Sequence, residues 1–390
     1  MQSFLFVLGR NPELSVLEIL RYFEVRHIGF ELKNANQHAA EFEILPEINV
    51  EQVVNELGGT VKICRELGSL DEKGSLHLSQ WDLAKSKKFY YSVNDVSTLP
   101  SPHIEQLREY LKERFKEEKV KAMYKPPRLK GPDSAKALNP SQLKKRKQVE
   151  EGLDLNVFES KIFQTLAVSN VQEMKARDID RPHTKAPVGT SIRMAKILNN
   201  LAGARKGVTV LDPFCGMGTV AQESMLLGAN AIGVEKNADH YNLCQKNLGW
   251  AKKKYALKTE FKLYQKDAKE LARFLKKGDF QAVASEPEQG PYWKTIPRKN
   301  VAFHTMHELN ELYEKVFEQL SALMDKGQKI AIILPEISAD TGSVSASEVS
   351  FIEHGFGIVT PPRQIPKANP YFYRDSKNKI ARRIYLLEKR

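Results

Sequence analysis

Residues 208–219 read Val208-Thr209-Val210-Leu211-Asp212-Pro213-Phe214-Cys215-Gly216-Met217-Gly218-Thr219. An apolar, β-branched run ends at a carboxylate and turns through two glycines. It then enters a helical pattern over 219–227 that stops at Gly228. A strand, a glycine-containing turn and a helix open a parallel sheet, whose ligands bind beyond the carboxyl ends of its strands. Outward from this unit the pattern repeats. Strands are expected over 231–234, 261–264, 280–284 and 329–334, and helices over 240–254 and 309–323. That alternation predicts an α/β, doubly wound, Rossmann-like domain with helices on both faces of the sheet.

The turn itself selects the ligand. Gly216, Gly218 and Ala221 satisfy the loose G-x-G-x-x-A pattern of dinucleotide sites. A dinucleotide would bring its pyrophosphate against Asp212, and the two charges would repel. S-adenosyl-L-methionine brings an ammonium beside a sulfonium, which a carboxylate attracts. Glu235 closes the second strand, where a carboxylate accepts both ribose hydroxyls. Asp267 follows the third strand, where it can accept from an adenine amino group. Any one of these acids alone reads as a solvated strand-end residue. Together, at successive strand ends, they read as a site for S-adenosyl-L-methionine.

The remaining chain sets limits. Its 390 residues suit two or three domains. No apolar run reaches the length of a membrane span, and residues 4–8 read as a buried strand and not as a secretory leader. Cys64, Cys215 and Cys244 have no paired spacing, which fits a reducing, cytoplasmic setting and excludes a cysteine-built metal site. A net charge of +12 favours a polyanionic partner. Residues 1–170 read as a smaller α/β region, with helices over 14–23, 50–57 and 104–119 and strands over 41–45, 61–64 and 90–93. Within it, 103–150 is strongly basic, including Lys121, Lys125, Arg128, Lys130 and the run Lys144-Lys145-Arg146-Lys147. This segment reads either as an RNA-backbone surface or as a solvated linker. Residues 171–390 form the expected cofactor domain.

Asp212-Pro213-Phe214-Cys215-Gly216-Met217-Gly218-Thr219 resembles the cofactor loop of the THUMP-containing tRNA guanosine-N2 methyltransferases and their bacterial relatives. Arg177-Asp178-Ile179-Asp180-Arg181-Pro182, Gly189-Thr190-Ser191 and the stretch ending in Asn199-Asn200-Leu201-Ala202 resemble that family's approach to its catalytic domain. Residues 9–18, Leu57-Gly58-Gly59-Thr60 and Ala381-Arg382-Arg383-Ile384-Tyr385 are similar to its N-terminal region and its last strand. Ile192-Arg193 stands where the family usually has a proline, and 121–147 aligns with no clear THUMP signature. The resemblance implies a seven-stranded, mostly parallel sheet preceded by a THUMP-like RNA-binding region. It further implies cofactor contacts from Phe214, Gly216, Gly218 and Thr219 beside Asp212, Glu235 and Asp267, and tRNA as partner.

Amino-group methyltransferases of this class carry a D/N/S-P-P-aromatic motif after the fourth strand. Here that place holds Ser285-Glu286-Pro287-Glu288-Gln289-Gly290-Pro291. Glu286 would orient the target amine, the Pro287 carbonyl would be a second acceptor, and Tyr292 or Trp293 would stack on the base. The substitution of the aromatic also reads as a degenerate, inactive loop. Asn369-Pro370-Tyr371-Phe372 spells a similar motif, but it falls after the fifth strand, in the terminal strand pair. Its basic neighbours Arg374, Lys377, Lys379, Arg382 and Arg383 suit RNA contact or a solvated hairpin. His304 and His307 read as part of a helix start, not as metal ligands. Three functions follow: an RNA guanosine-N2 methyltransferase, a DNA amino-methyltransferase, or a non-catalytic RNA-binding protein with a vestigial domain.

Overall fold

The computed structural model describes residues 2–70, 76–78, 88–127, 139–183, 189–361, 370–373 and 379–390. The chain divides into two compact units, Met1–Met174 and Lys175–Arg390.

The first unit comprises β1 (Gln2–Leu8), α1 (Pro12–Val25), β2 (Gly29–Ala35), β3 (Ala39–Leu45), α2 (Val50–Glu56) and β4 (Thr60–Leu70). It continues through β5 (Leu76–Leu78), β6 (Lys88–Asp95), α3 (Ile104–Glu117), β7 (Lys121–Tyr124), α4 (Pro140–Lys145), β8 (Leu153–Phe158) and β9 (Lys161–Val168). The strands form one mixed sheet in the order β2-β3-β1-β4-β9-β8-β6-β7, with β5 on β4. The apolar run of β1 is buried at its centre. Glu18, fully buried on α1, accepts from the backbone amides of Gly58 and Gly59 at 2.8 and 2.7 Å. A Cβ on Gly59 would fall 2.3 Å from Ser15 Oγ, so the glycine permits this close approach. Lys62 and Asp154 form a buried ion pair at 2.8 Å, and Ser92 and Thr165 donate to the same carboxylate. Burial opposes ionisation of Asp154, but Lys62 and these hydroxyls outweigh it and hold the carboxyl below its usual range.

After α5 (Val171–Ile179), the second unit contains α6 (Ile192–Ala202), β10 (Thr209–Asp212), α7 (Thr219–Leu226), β11 (Asn230–Val234), α8 (Ala238–Lys254) and β12 (Phe261–Tyr264). Then come β13 (Ala282–Ser285), α9 (Lys299–Leu323), β14 (Lys329–Ser338), β15 (Ser343–Ser345), α10 (Val349–Ile352), β16 (Phe356–Ile358), β17 (Tyr371–Tyr373) and β18 (Ile380–Lys389). The sheet order is β12-β11-β10-β13-β14-β18-β16. The five strands from β12 to β14 are parallel, and β18 runs antiparallel to β14. This is a Rossmann-like α/β unit. Its sheet has nine strands, not the expected seven, because the three-residue strands β15 and β17 pair onto β14 and β18. β10 lies between β11 and β13, so the strand order reverses at its carboxyl end, where a ligand crevice opens.

Two boundaries differ from expectation. α9 begins at Lys299, ten residues before the expected start at 309. Its first amide is capped by the Asp340 carboxylate at 2.9 Å, from a residue remote in sequence. His304 and His307 therefore lie inside the helix, where each faces a glutamate one turn on, Glu308 and Glu311. β14 runs through Pro335, beyond the stretch Lys329–Ile332 that pairs with β13. A proline there removes no hydrogen bond to that neighbour.

Candidate cofactor and catalytic site

The Asp212–Thr219 loop is shaped by its two glycines. Gly216 has φ +50° with open space where a Cβ would stand, and Gly218 has φ +88° with Cys244 Sγ 2.8 Å from that position. The Cys215 amide donates to the Val234 carbonyl at 3.0 Å, joining the loop to β11. Asn247 of α8 braces it from behind, donating to the Met217 carbonyl at 3.1 Å and the His183 carbonyl at 3.2 Å. Nothing in the sequence singled out Asn247. A lone asparagine in a charged helix carries no local signal.

Asp212 is buried at the end of β10. Ser285, at the end of the adjacent β13, donates to it at 2.6 Å, and the Phe214 amide at 3.1 Å. Burial pushes the carboxyl up to about 7, against those hydrogen bonds, and Glu235 and Glu286 add to the rise. Glu235 accepts from the Gly216 amide at 3.0 Å and the Asn237 amide at 2.8 Å. Asp267 caps the turn after β12, accepting from the Lys269 amide at 2.9 Å. All three acids, with Phe214, Gly216 and Thr219, line one cavity of about 1000 Å³. Its size suits a ligand of nucleoside dimensions and a second group beside it. Gly218 is not on the wall; it forms the turn behind it.

The motif upstream of α6 packs onto this loop. Arg177 forms a buried two-pronged pair with Glu223 of α7, at 2.8 and 3.2 Å. Arg181 donates to Thr219 Oγ1 at 2.8 Å. Asn199 of α6 donates to the Val220 carbonyl at 2.9 Å, and Gly203 ends α6 in the left-handed conformation.

The loop after β13 also faces the cavity. Glu286 is held at both oxygens: Thr190 Oγ1 donates to one at 2.5 Å and Arg382 Nε to the other at 2.5 Å. Gln289 occupies the aromatic position of the motif and folds back, its Nε2 donating to the Pro287 carbonyl at 2.8 Å and the Ile333 carbonyl at 3.0 Å. The Pro287 carbonyl thus already accepts one hydrogen bond and keeps its second lone pair. Tyr292 is 67% exposed at the rim of the cavity. Trp293 packs against the core of the unit instead of lining the cavity, so of the two aromatics only Tyr292 is placed to stack.

Two arginines of the C-terminal aromatic and basic cluster are already engaged by acids. Arg382 is tied to Glu286, and Arg383 lies 3.3 Å from Glu336 with its guanidinium over the Phe372 ring. Asn369, Arg374 and Lys377 lie outside the described residues. So do Arg128 and Lys130 of the basic segment. Among the described residues there is no His/Cys/Asp/Glu group able to hold a metal, and no helix is long and apolar enough to cross a membrane.

Residues 181–351 match the family model described as the RMKL-like methyltransferase domain. Residues 181–351 are thus a methyltransferase domain, similar to that of the tRNA guanosine-N2 methyltransferases and their relatives. A DNA methylase model also matches, over 49–246, a span that runs across both compact units and includes the cofactor loop. The chain is 29% identical over 164 residues to the tRNA (guanine(10)-N2)-dimethyltransferase of Methanocaldococcus jannaschii, covering 38% of this chain and 43% of that protein. It is 28% identical over 165 residues to the tRNA (guanine(6)-N2)-methyltransferase of Thermus thermophilus, covering 41% and 44%. The chain spans about half the length of the curated relatives it matches, 42–56%. The crystal structure of TrmN from Thermus thermophilus aligns over the whole of both chains with a TM-score of 0.52 at 15% identity, which speaks for the fold.

Proposed function

We propose that this protein is an S-adenosyl-L-methionine-dependent RNA methyltransferase acting on the exocyclic N2 amine of a guanosine in tRNA. The observation that carries the reading is Asp212, a buried carboxylate at the switch point of the sheet, beside a glycine loop and above a second strand-end acid, Glu235. The wall fits the cofactor. Asp212 would receive its ammonium, Glu235 its ribose hydroxyls and Asp267 its adenine amine, while Gly216 leaves room for close approach. Bound there, the cofactor supplies a methyl group already activated by its sulfonium. What remains for the chain is placement of the nucleophile. Glu286 is pre-oriented by Thr190 and Arg382, and keeps lone pairs for an amine entering from the cavity. Tyr292 offers a stacking face at the rim. The THUMP-like role of the first unit and the choice of tRNA rest on family resemblance and on the net charge of +12.

A second reading is favoured by two observations: Gln289 already donates to the Pro287 carbonyl, and Arg382 already engages Glu286. On that reading the loop is closed and the protein binds RNA without modifying it. Calorimetry and label transfer separate the two. S-adenosylhomocysteine should bind and NAD should not, and labelled methyl should reach bulk tRNA. Equal affinity for NAD would overturn the cofactor assignment. Cofactor and tRNA binding without transfer to any tRNA pool would establish the second reading.

A further inference from the structure

We infer that Arg181 is the anchor for the α-carboxylate of the cofactor's methionine moiety, an inference that rests on the cofactor reading above. The methionine end is a zwitterion, so a site that receives its ammonium at Asp212 must also meet a carboxylate close by. Four Lys or Arg side chains line the cavity: Arg181, Lys236, Lys266 and Arg382. Arg382 is bound to Glu286 at 2.5 Å. Lys236 is exposed and faces Glu288 at 3.8 Å. Lys266 is exposed beside Asp267, at the end of the cavity assigned to adenine. Arg181 differs from all of these. It is 8% exposed, and among the described residues no carboxylate lies within ion-pair distance of it.

One nitrogen of Arg181 donates to Thr219 Oγ1, which fixes the guanidinium beside the first residue of α7. Its Nε is buried and has no hydrogen-bond partner among the described residues. A buried cation with an unused donor is costly unless an anion completes it. Burial lowers the affinity of this guanidinium for its proton, outweighing the opposing pull of Asp178 and Glu223. The planar fork of arginine matches a carboxylate, and the amino end of α7 adds the positive end of a helix dipole. Arg177, the other arginine of the same motif, is already neutralised by Glu223, so the two arginines have divided roles. One fastens the motif to α7, and the other is left for the ligand.

The test compares two ligands that differ only in the carboxylate: S-adenosylhomocysteine and its decarboxylated analogue. Wild-type protein should prefer the first by at least about tenfold by calorimetry. Arg181→Met should weaken S-adenosylhomocysteine by at least about tenfold and the analogue by less than about threefold, erasing the preference. Arg181→Lys, which keeps the cation but not the fork, should retain part of the preference and covers the case in which the methionine variant does not fold. Equal losses for both ligands, with wild type still binding S-adenosylhomocysteine, would overturn the role of Arg181 and leave the cofactor reading intact. Failure of wild type to bind either ligand would overturn the cofactor reading, and this inference with it.

Discussion

Asp212 sits at a conflict between folding and function. On the proposed reading, the fold buries a carboxylate whose value is pushed up to about 7 and leaves the cofactor's ammonium as its partner. Ionised Asp212 is the form that attracts that ammonium. Affinity for S-adenosylhomocysteine should therefore fall as pH is lowered from about 8 to about 6, and Asp212→Asn should bind weakly with little pH dependence over that range. The stability of the free protein should move the other way. An acid that holds its proton more tightly when folded releases it on unfolding, so the Asp212 contribution is lost as pH rises from its ordinary value, 3.8, to about 7. Asp212→Asn should flatten that decline, measured by thermal melting across the same window. A variant that kept wild-type affinity at every pH would remove Asp212 from the site. Glu286 makes a separate prediction. Glu286→Gln should keep cofactor affinity while lowering turnover by at least about tenfold, the cost of a misaligned acceptor felt only during transfer. Unchanged turnover in an active preparation would place the target amine elsewhere.

At the scale of elements, what was legible in the sequence was what is written locally. The β10–α7 turn and the alternation through β12 have short-range signals: apolar period, glycine and acid at fixed places. The start of α9 was not legible because its cap is Asp340, brought there by the fold. The nine-stranded count was missed because β15 and β17 have three residues each, too few to show a period. The loop after β13 was only half legible. The place of Glu286 on the cavity wall could be read from spacing, but the back-folding of Gln289 and the turning of Trp293 into the core depend on Ile333 and on packing around it. In the first unit, Lys62 read as an ordinary strand residue, yet it carries the buried pair with Asp154. Asp154→Asn should destabilise that unit by about 3–5 kcal/mol in chemical denaturation, because it strands a buried ammonium. A loss below about 1 kcal/mol would mean that the surrounding hydroxyls and amides suffice.

At the scale of the whole molecule, a Rossmann-like unit with a cofactor cavity shares a chain with a mixed-sheet unit and an excess of twelve positive charges. That excess predicts a steep fall of tRNA affinity with salt. The structure refines which residues carry it. In the run at the end of α4, Lys147 pairs with Glu151 at 3.0 Å, Lys144 and Arg146 are half-buried, and Lys145 is exposed. Lys144→Gln with Lys145→Gln should flatten the salt slope, whereas Lys147→Gln should change it little. Equal slopes in wild type and the double variant would make this run a solvated helix end. The central claim is chemical, and its most direct measurement is mass spectrometry of nucleosides from unmodified tRNA incubated with the protein and methyl-labelled S-adenosyl-L-methionine, beside a parallel incubation with DNA. The account predicts label in N2-methylated guanosine from tRNA and none in DNA; label confined to DNA adenine or cytosine, or to an RNA position other than guanosine N2, would contradict it.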